Sequence, residues 1–183
     1  DARARLQRLR RGYAGEAVRI YRAEAEILAR RDDLESARRV YDEAVKSHPK
    51  DNDLLYARAM LAARADRIDD LERDLRDVLS RDPDNADALN ALGYTLSDKT
   101  DRFEEAKGFI ERALKLKPND HYIVDSMGWV LHKLGRNEEA LTLLFQAHGQ
   151  RPDAEISAHL AFVLWDLGRQ SEARTVLAEA LEK

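Results

Sequence analysis

The four prolines of this chain, Pro49, Pro83, Pro118 and Pro152, are separated by 34, 35 and 34 residues. A proline lacks a backbone donor and cannot continue a helix, so four at one interval mark the ends of successive units of equal length. Between Asn85 and Asp153 one pattern is written twice. Leu89, Leu92, Gly93 and Leu96 are followed by Ala106, Ile110, Ala113 and Pro118. Val124, Met127, Gly128 and Leu131 are followed by Gly135, Ala140, Leu144, Ala147 and Pro152. Apolar residues at three- and four-residue spacing predict two helices per unit.

Two antiparallel helices cross closely only where neither carries a bulky side chain. Gly93 is therefore expected to face Ala106, and Gly128 to face Ala140. One such hairpin cannot bury its apolar face alone, so the units must stack. The spacing L-x2-L-G-x2-L, then A-x3-[IL]-x2-A, then P, resembles the tetratricopeptide (TPR) repeat. The resemblance implies an all-α solenoid of about five helix-turn-helix repeats wound into a right-handed superhelix. The repeats are expected at 18–51, 52–85, 86–120, 121–153 and 154–183, with 1–17 as a basic lead-in or the remnant of a preceding repeat.

Repeat one is expected to start with a helix from Ala14 to Arg31, with Asp32 and Asp33 as cap candidates for the second helix. Repeats one and two fit the pattern less well. Glu24 and Arg58 stand where Leu92 and Met127 stand later, and Leu71 replaces a small residue. Repeat three has one extra residue in its inner turn, where Asp101 and Glu104 suit an acidic capping box. The last repeat follows a connection one residue shorter and carries its turn glycine at Gly168.

Charge narrows the function. The net charge of −4 argues against a general nucleic-acid binder, although residues 1–50 hold 13 Lys/Arg against 9 Asp/Glu. The arginine-rich stretch 1–12 reads either as the tail of a preceding helix or as an arm for an acidic partner, with nucleic-acid binding the weakest of the readings. With no cysteine, disulfide and thiolate chemistry are excluded. No apolar run reaches membrane-span length, and the lack of an initiator Met suggests a piece of a longer protein. His48, His121, His132, His148 and His159 form no pair at helical metal-ligand spacing, and no nucleophile elbow or phosphate-binding loop is present. A non-enzymatic chain without cofactor or metal is expected.

The first helices of the repeats carry the informative surface. The residue after each small position gives the column Glu26, Met60, Tyr94, Trp129 and Phe162. One turn away lie Tyr56, Asn90 and Asp125 on one side, with Asp98, Lys133 and Asp166 on the other, and Trp165 adds a second ring in repeat five. Tyr56, Met60, Asn90, Tyr94, Asp98, Asp125, Trp129, Lys133, Phe162 and Trp165 are the expected partner-binding residues. An aromatic floor with charged walls suits a peptide segment. The competing reading makes the same rings core between repeats. Self-assembly through the apolar ends, Leu6 and Leu9 at one and Val176, Leu177 and Leu181 at the other, is the alternative function.

Some TPR domains grip a terminal carboxylate with Lys, Asn and Arg, and this chain departs from that pattern with Asn90, Asp125, Tyr94 and Trp129. The stretches Asn90–Ala106 and Asp125–Ala140 resemble repeats of TPR lipoproteins of Gram-negative envelopes. Some of these act as adaptors between a periplasmic carboxyl-terminal processing protease and cell-wall hydrolase substrates. The resemblance implies protein partners of that kind, a periplasmic location tethered to the outer membrane, and a lipid-bearing cysteine upstream of Asp1. A cytoplasmic location is the alternative.

Overall fold

The computed structural model describes residues 16–181. Residues 1–15, most of the expected lead-in 1–17 and including Leu6, Leu9 and the start expected at Ala14, lie outside them. Among the described residues there are ten α-helices and no strand. They are α1 (Ala17–Arg30), α2 (Leu34–Ser47), α3 (Asn52–Arg64), α4 (Ile68–Arg81), α5 (Ala86–Lys99), α6 (Phe103–Leu116), α7 (His121–Lys133), α8 (Asn137–Gln150), α9 (Ala154–Asp166) and α10 (Gln170–Leu181). Each odd-numbered helix packs most extensively on the even-numbered helix that follows it. The helices group into two compact units, α1–α4 up to Arg81 and α5–α10 from Asp82.

Local chemistry sets the helix ends. The proline that closes each unit precedes an acidic or amide cap. Asp51 accepts from the Leu54 amide, Asn85 from Ala88, Asp120 from Tyr122 and Asp153 from Ile156, at 2.9–3.0 Å. Inside four hairpins the chain turns through one left-handed residue: Asp32, Asp66, Gly135 or Gly168. The amide of the next residue donates back along the chain, as from Arg136 to the Leu131 carbonyl and from Arg169 to Leu164, the Schellman arrangement that ends a helix. Of the two candidates in repeat one, Asp33 is the cap, accepting from Ser36, and Asp32 is the left-handed residue.

Repeat three is the exception. Its extra residue puts Thr100 in extended backbone. The Thr100 hydroxyl donates to the Leu96 carbonyl and accepts from the Arg102 amide. Helix α6 starts at Phe103 behind Arg102, so the expected Asp101–Glu104 capping box does not form. Instead Arg102 pairs with Glu105, as Arg136 does with Glu139 and Arg169 with Glu172.

The close helix crossings follow from the glycines. A Cβ on Gly93 would lie 2.6 Å from Ile110 Cγ1 and 2.8 Å from the Ala106 carbonyl oxygen. One on Gly128 would lie 2.7 Å from Leu144 Cγ and 3.2 Å from the Ala140 oxygen. Ala25, Ala59 and Ala161 occupy the same position in the other repeats and are buried.

Candidate partner-binding face

In the C-terminal unit α5 packs on α7 and α7 on α9, so the first helices of repeats three, four and five share one face. Their side chains meet around an imidazole. His159 Nδ1 of α9 is hydrogen-bonded to Asp125 Oδ2 of α7 at 2.8 Å. The Tyr94 hydroxyl reaches from α5 across to α9, where it lies 3.4 Å from His159 Nε2 and also hydrogen-bonds Glu155. The Trp129 indole stacks on His159, with centroids 4.4 Å apart and planes at 19°. Phe162 stands edge-on to both Trp129 and His132, at 5.7 and 5.6 Å. Lys133 places its ammonium 4.7 Å from the Trp129 ring centre, and His132 Nε2 lies 3.4 Å from Asp166.

Burial separates support from surface. Trp129 is only 7% exposed, so it holds the face from beneath, where the sequence suggested an open ring on the floor. Phe162, at 51%, is the ring turned to solvent. Asp125 is 4% exposed, and its carboxyl is held above the usual carboxylate value by burial, against the opposing pull of His159. The Tyr94 hydroxyl is likewise pushed up, first by burial, then by Glu155 and the charges of Asp98 and Asp125.

The structure thus brings Tyr94, Asp125, Trp129, Lys133 and Phe162 together. Asn90 is half-buried on α5, and Asp98 lies 3.2 Å from Lys99. Trp165 turns away from the cluster, with the Arg174 guanidinium 5.8 Å from its ring centre. Tyr56 and Met60 are half-buried on α3 of the N-terminal unit. The sequence reading missed His159 and His132, whose isolation in the chain hid their roles. The signal was the repeat length, for Asp125 and His159 are 34 residues apart, as are His132 and Asp166. No group of three or more metal-ligating side chains forms among the described residues. No helix among them is long and apolar enough to cross a membrane.

Tetratricopeptide-repeat models match residues 18–61 and 56–121, more than half of the chain between them. The chain belongs to the tetratricopeptide-repeat family. TPR proteins are generally non-enzymatic scaffolds, and the fold implies protein partners. The chain is 45% identical over 160 residues to the TPR repeat-containing protein PA4667 of Pseudomonas aeruginosa, covering 87% of this chain and 27% of that relative. It therefore spans about a quarter of the relative's length. Among solved structures it is similar to TTC0263, a thermophilic TPR protein of Thermus thermophilus, with a TM-score of 0.80 and 23% identity over 91% of both chains. It is also similar to PilW, a widely conserved type IV pilus biogenesis factor, with a TM-score of 0.81 and 22% identity over 92% of this chain and 79% of that one. At these identities the likeness concerns the TPR fold alone.

Proposed function

We propose that the chain is part of a non-enzymatic adaptor that binds a segment of a partner protein on the shared face of α5, α7 and α9. The observation that carries this reading is Phe162, a solvent-facing ring braced edge-on by the buried Trp129 and by His132. A rigid aromatic on a packed support loses little conformational freedom on binding and suits an anchor position. The resemblance of repeats three and four supports a narrower version: an envelope adaptor on the periplasmic side, anchored upstream of this chain, that brings cell-wall hydrolase substrates to a carboxyl-terminal processing protease.

The test is co-purification and titration of such a protease with the wild-type chain and with Phe162→Ala. Truncating the anchor is expected to weaken binding by roughly tenfold or more while circular dichroism stays helical. Unchanged affinity would remove the face from the adaptor reading. A second reading, self-association, is favoured by the exposed Leu177 and Leu181 on α10. A mass that rises with concentration in light scattering would support it.

A further inference from the structure

The face of α5, α7 and α9 carries buried polar atoms without partners, the Trp129 indole N–H and two side-chain oxygens among them. Asp125 uses Oδ2 to hold His159, while its Oδ1 is buried with no hydrogen-bond partner. One repeat earlier, on α5, the Asn90 side-chain oxygen is buried in the same condition. Native proteins pair nearly all such atoms. Two unmet acceptors at equivalent positions of adjacent helices therefore ask for a donor from outside the chain.

The surrounding charge says which donor. Asp98, Asp125 and Glu155 all bear on the Tyr94 hydroxyl, and Asp166 lies beside His132. Against them stand Lys133, laid over the Trp129 ring, and Lys99, already beside Asp98. The carboxylates outnumber the cations, and one is buried without a full set of donors. We propose, resting on the adaptor reading above, that the docking segment presents a lysine or arginine side chain to Asp125 and Asn90, with an apolar residue nearby on Phe162. An ammonium or guanidinium supplies the missing donors and meets the negative field, and charge-assisted hydrogen bonds of this kind are the strong ones. An acidic side chain in its place would be repelled by Asp98 and Glu155. Both oxygens are buried, so the side chains that cover them must move aside on binding.

The test is selection of peptides from a random display library on the full 183-residue chain, followed by titration of the selected sequences on variants. Lys or Arg is expected to be enriched at one fixed position near an apolar residue. The selected peptides should bind about tenfold more weakly to Asp125→Asn, which keeps an acceptor for His159. Binding should weaken also on Glu155→Gln, an exposed substitution that leaves the packing alone. Peptides that depend on Phe162 but show no preference for a basic residue would overturn the charge assignment and leave the adaptor reading standing. Peptides that lose nothing on either carboxylate variant would do the same. Failure to select any peptide dependent on Phe162 would overturn both.

Discussion

A single hydrogen atom at Gly93 sets how closely α5 and α6 approach. A methyl group there meets the Ala106 carbonyl oxygen at 2.8 Å as well as Ile110 Cγ1 at 2.6 Å, so backbone must move. At Gly128 the short distances, 2.7 and 2.9 Å, are to the Leu144 side chain, with the backbone oxygen at 3.2 Å. Alanine gains about 1 kcal/mol over glycine from helix propensity, while overpacking costs about 1–3 kcal/mol and occasionally more. Gly93→Ala is therefore expected to destabilise the chain by up to about 2 kcal/mol, and by more than Gly128→Ala. Gly108, exposed on α6 with nothing within 4 Å of a Cβ, is the control. Gly108→Ala should stabilise by up to about 1 kcal/mol. Urea midpoints of the three variants check the order, and a Gly93→Ala chain as stable as Gly108→Ala would refute the close-approach account. This part of the fold was legible in the sequence because a short glycine–alanine crossing leaves a mark at two fixed positions. The His159 cluster was not, since each member is an ordinary residue until the repeats are laid side by side.

At the level of elements, repeat two replaces apolar packing with charge. Arg58 of α3 bonds Asp74 of α4 at 2.7 and 2.9 Å and Asp42 of α2 at 3.0 Å. Asp74 also meets Arg73, Arg73 meets Asp70, Asp70 meets Arg67, Arg67 lies 3.7 Å from Glu35, and Glu35 meets Arg38, which returns to Asp42. Four arginines and four carboxylates alternate in this ring, and all but Asp74 line a cleft of about 300 Å³ whose apolar lining includes Leu34, Leu61, Ala62 and Ala65. Burial works against the Arg58 charge, but Asp74 and Asp42 outweigh it and hold the guanidinium above its ordinary value. The Asp74 side chain is 2% exposed. Removing Arg58 leaves that carboxylate buried with Arg73 alone, so Arg58→Ala is expected to cost about 3 kcal/mol. Replacing both partners, Arg58→Leu with Asp74→Leu, restores the apolar character seen at Leu92 and Met127 and should recover most of that loss. Thermal unfolding of the single and double variants measures it, and a double variant no better than Arg58→Ala would refute the argument. The sequence marked Arg58 as a departure from the pattern. It did not show the partners, because Asp42 and Asp74 each lie 16 residues away on helices whose facing sides only the folded hairpins define.

For the molecule as a whole, stacked repeats predict a gradient of stability within each unit. Proline spacing made the number and length of the repeats readable, since every closing proline sits between a second helix and the next cap. It carries no information on how well each repeat is covered by its neighbours. In the C-terminal unit α7 is buried at every residue from Ile123 to Leu131 and packs on α5, α6, α8 and α9. Helix α10 buries only Ala173 and Val176 and leaves Leu177 and Leu181 in solvent. Nearest-neighbour stacking makes a helix covered on one side the first to open. Amide hydrogen exchange is thus expected to be slowest in α7 and faster by orders of magnitude in α10. Measuring it at two protein concentrations separates this from self-association, because copies meeting through Leu177 and Leu181 would slow exchange in α10 as concentration rises while α7 stays unchanged. Protection in α10 equal to that in α7 at both concentrations would refute the link between sparse burial and early opening.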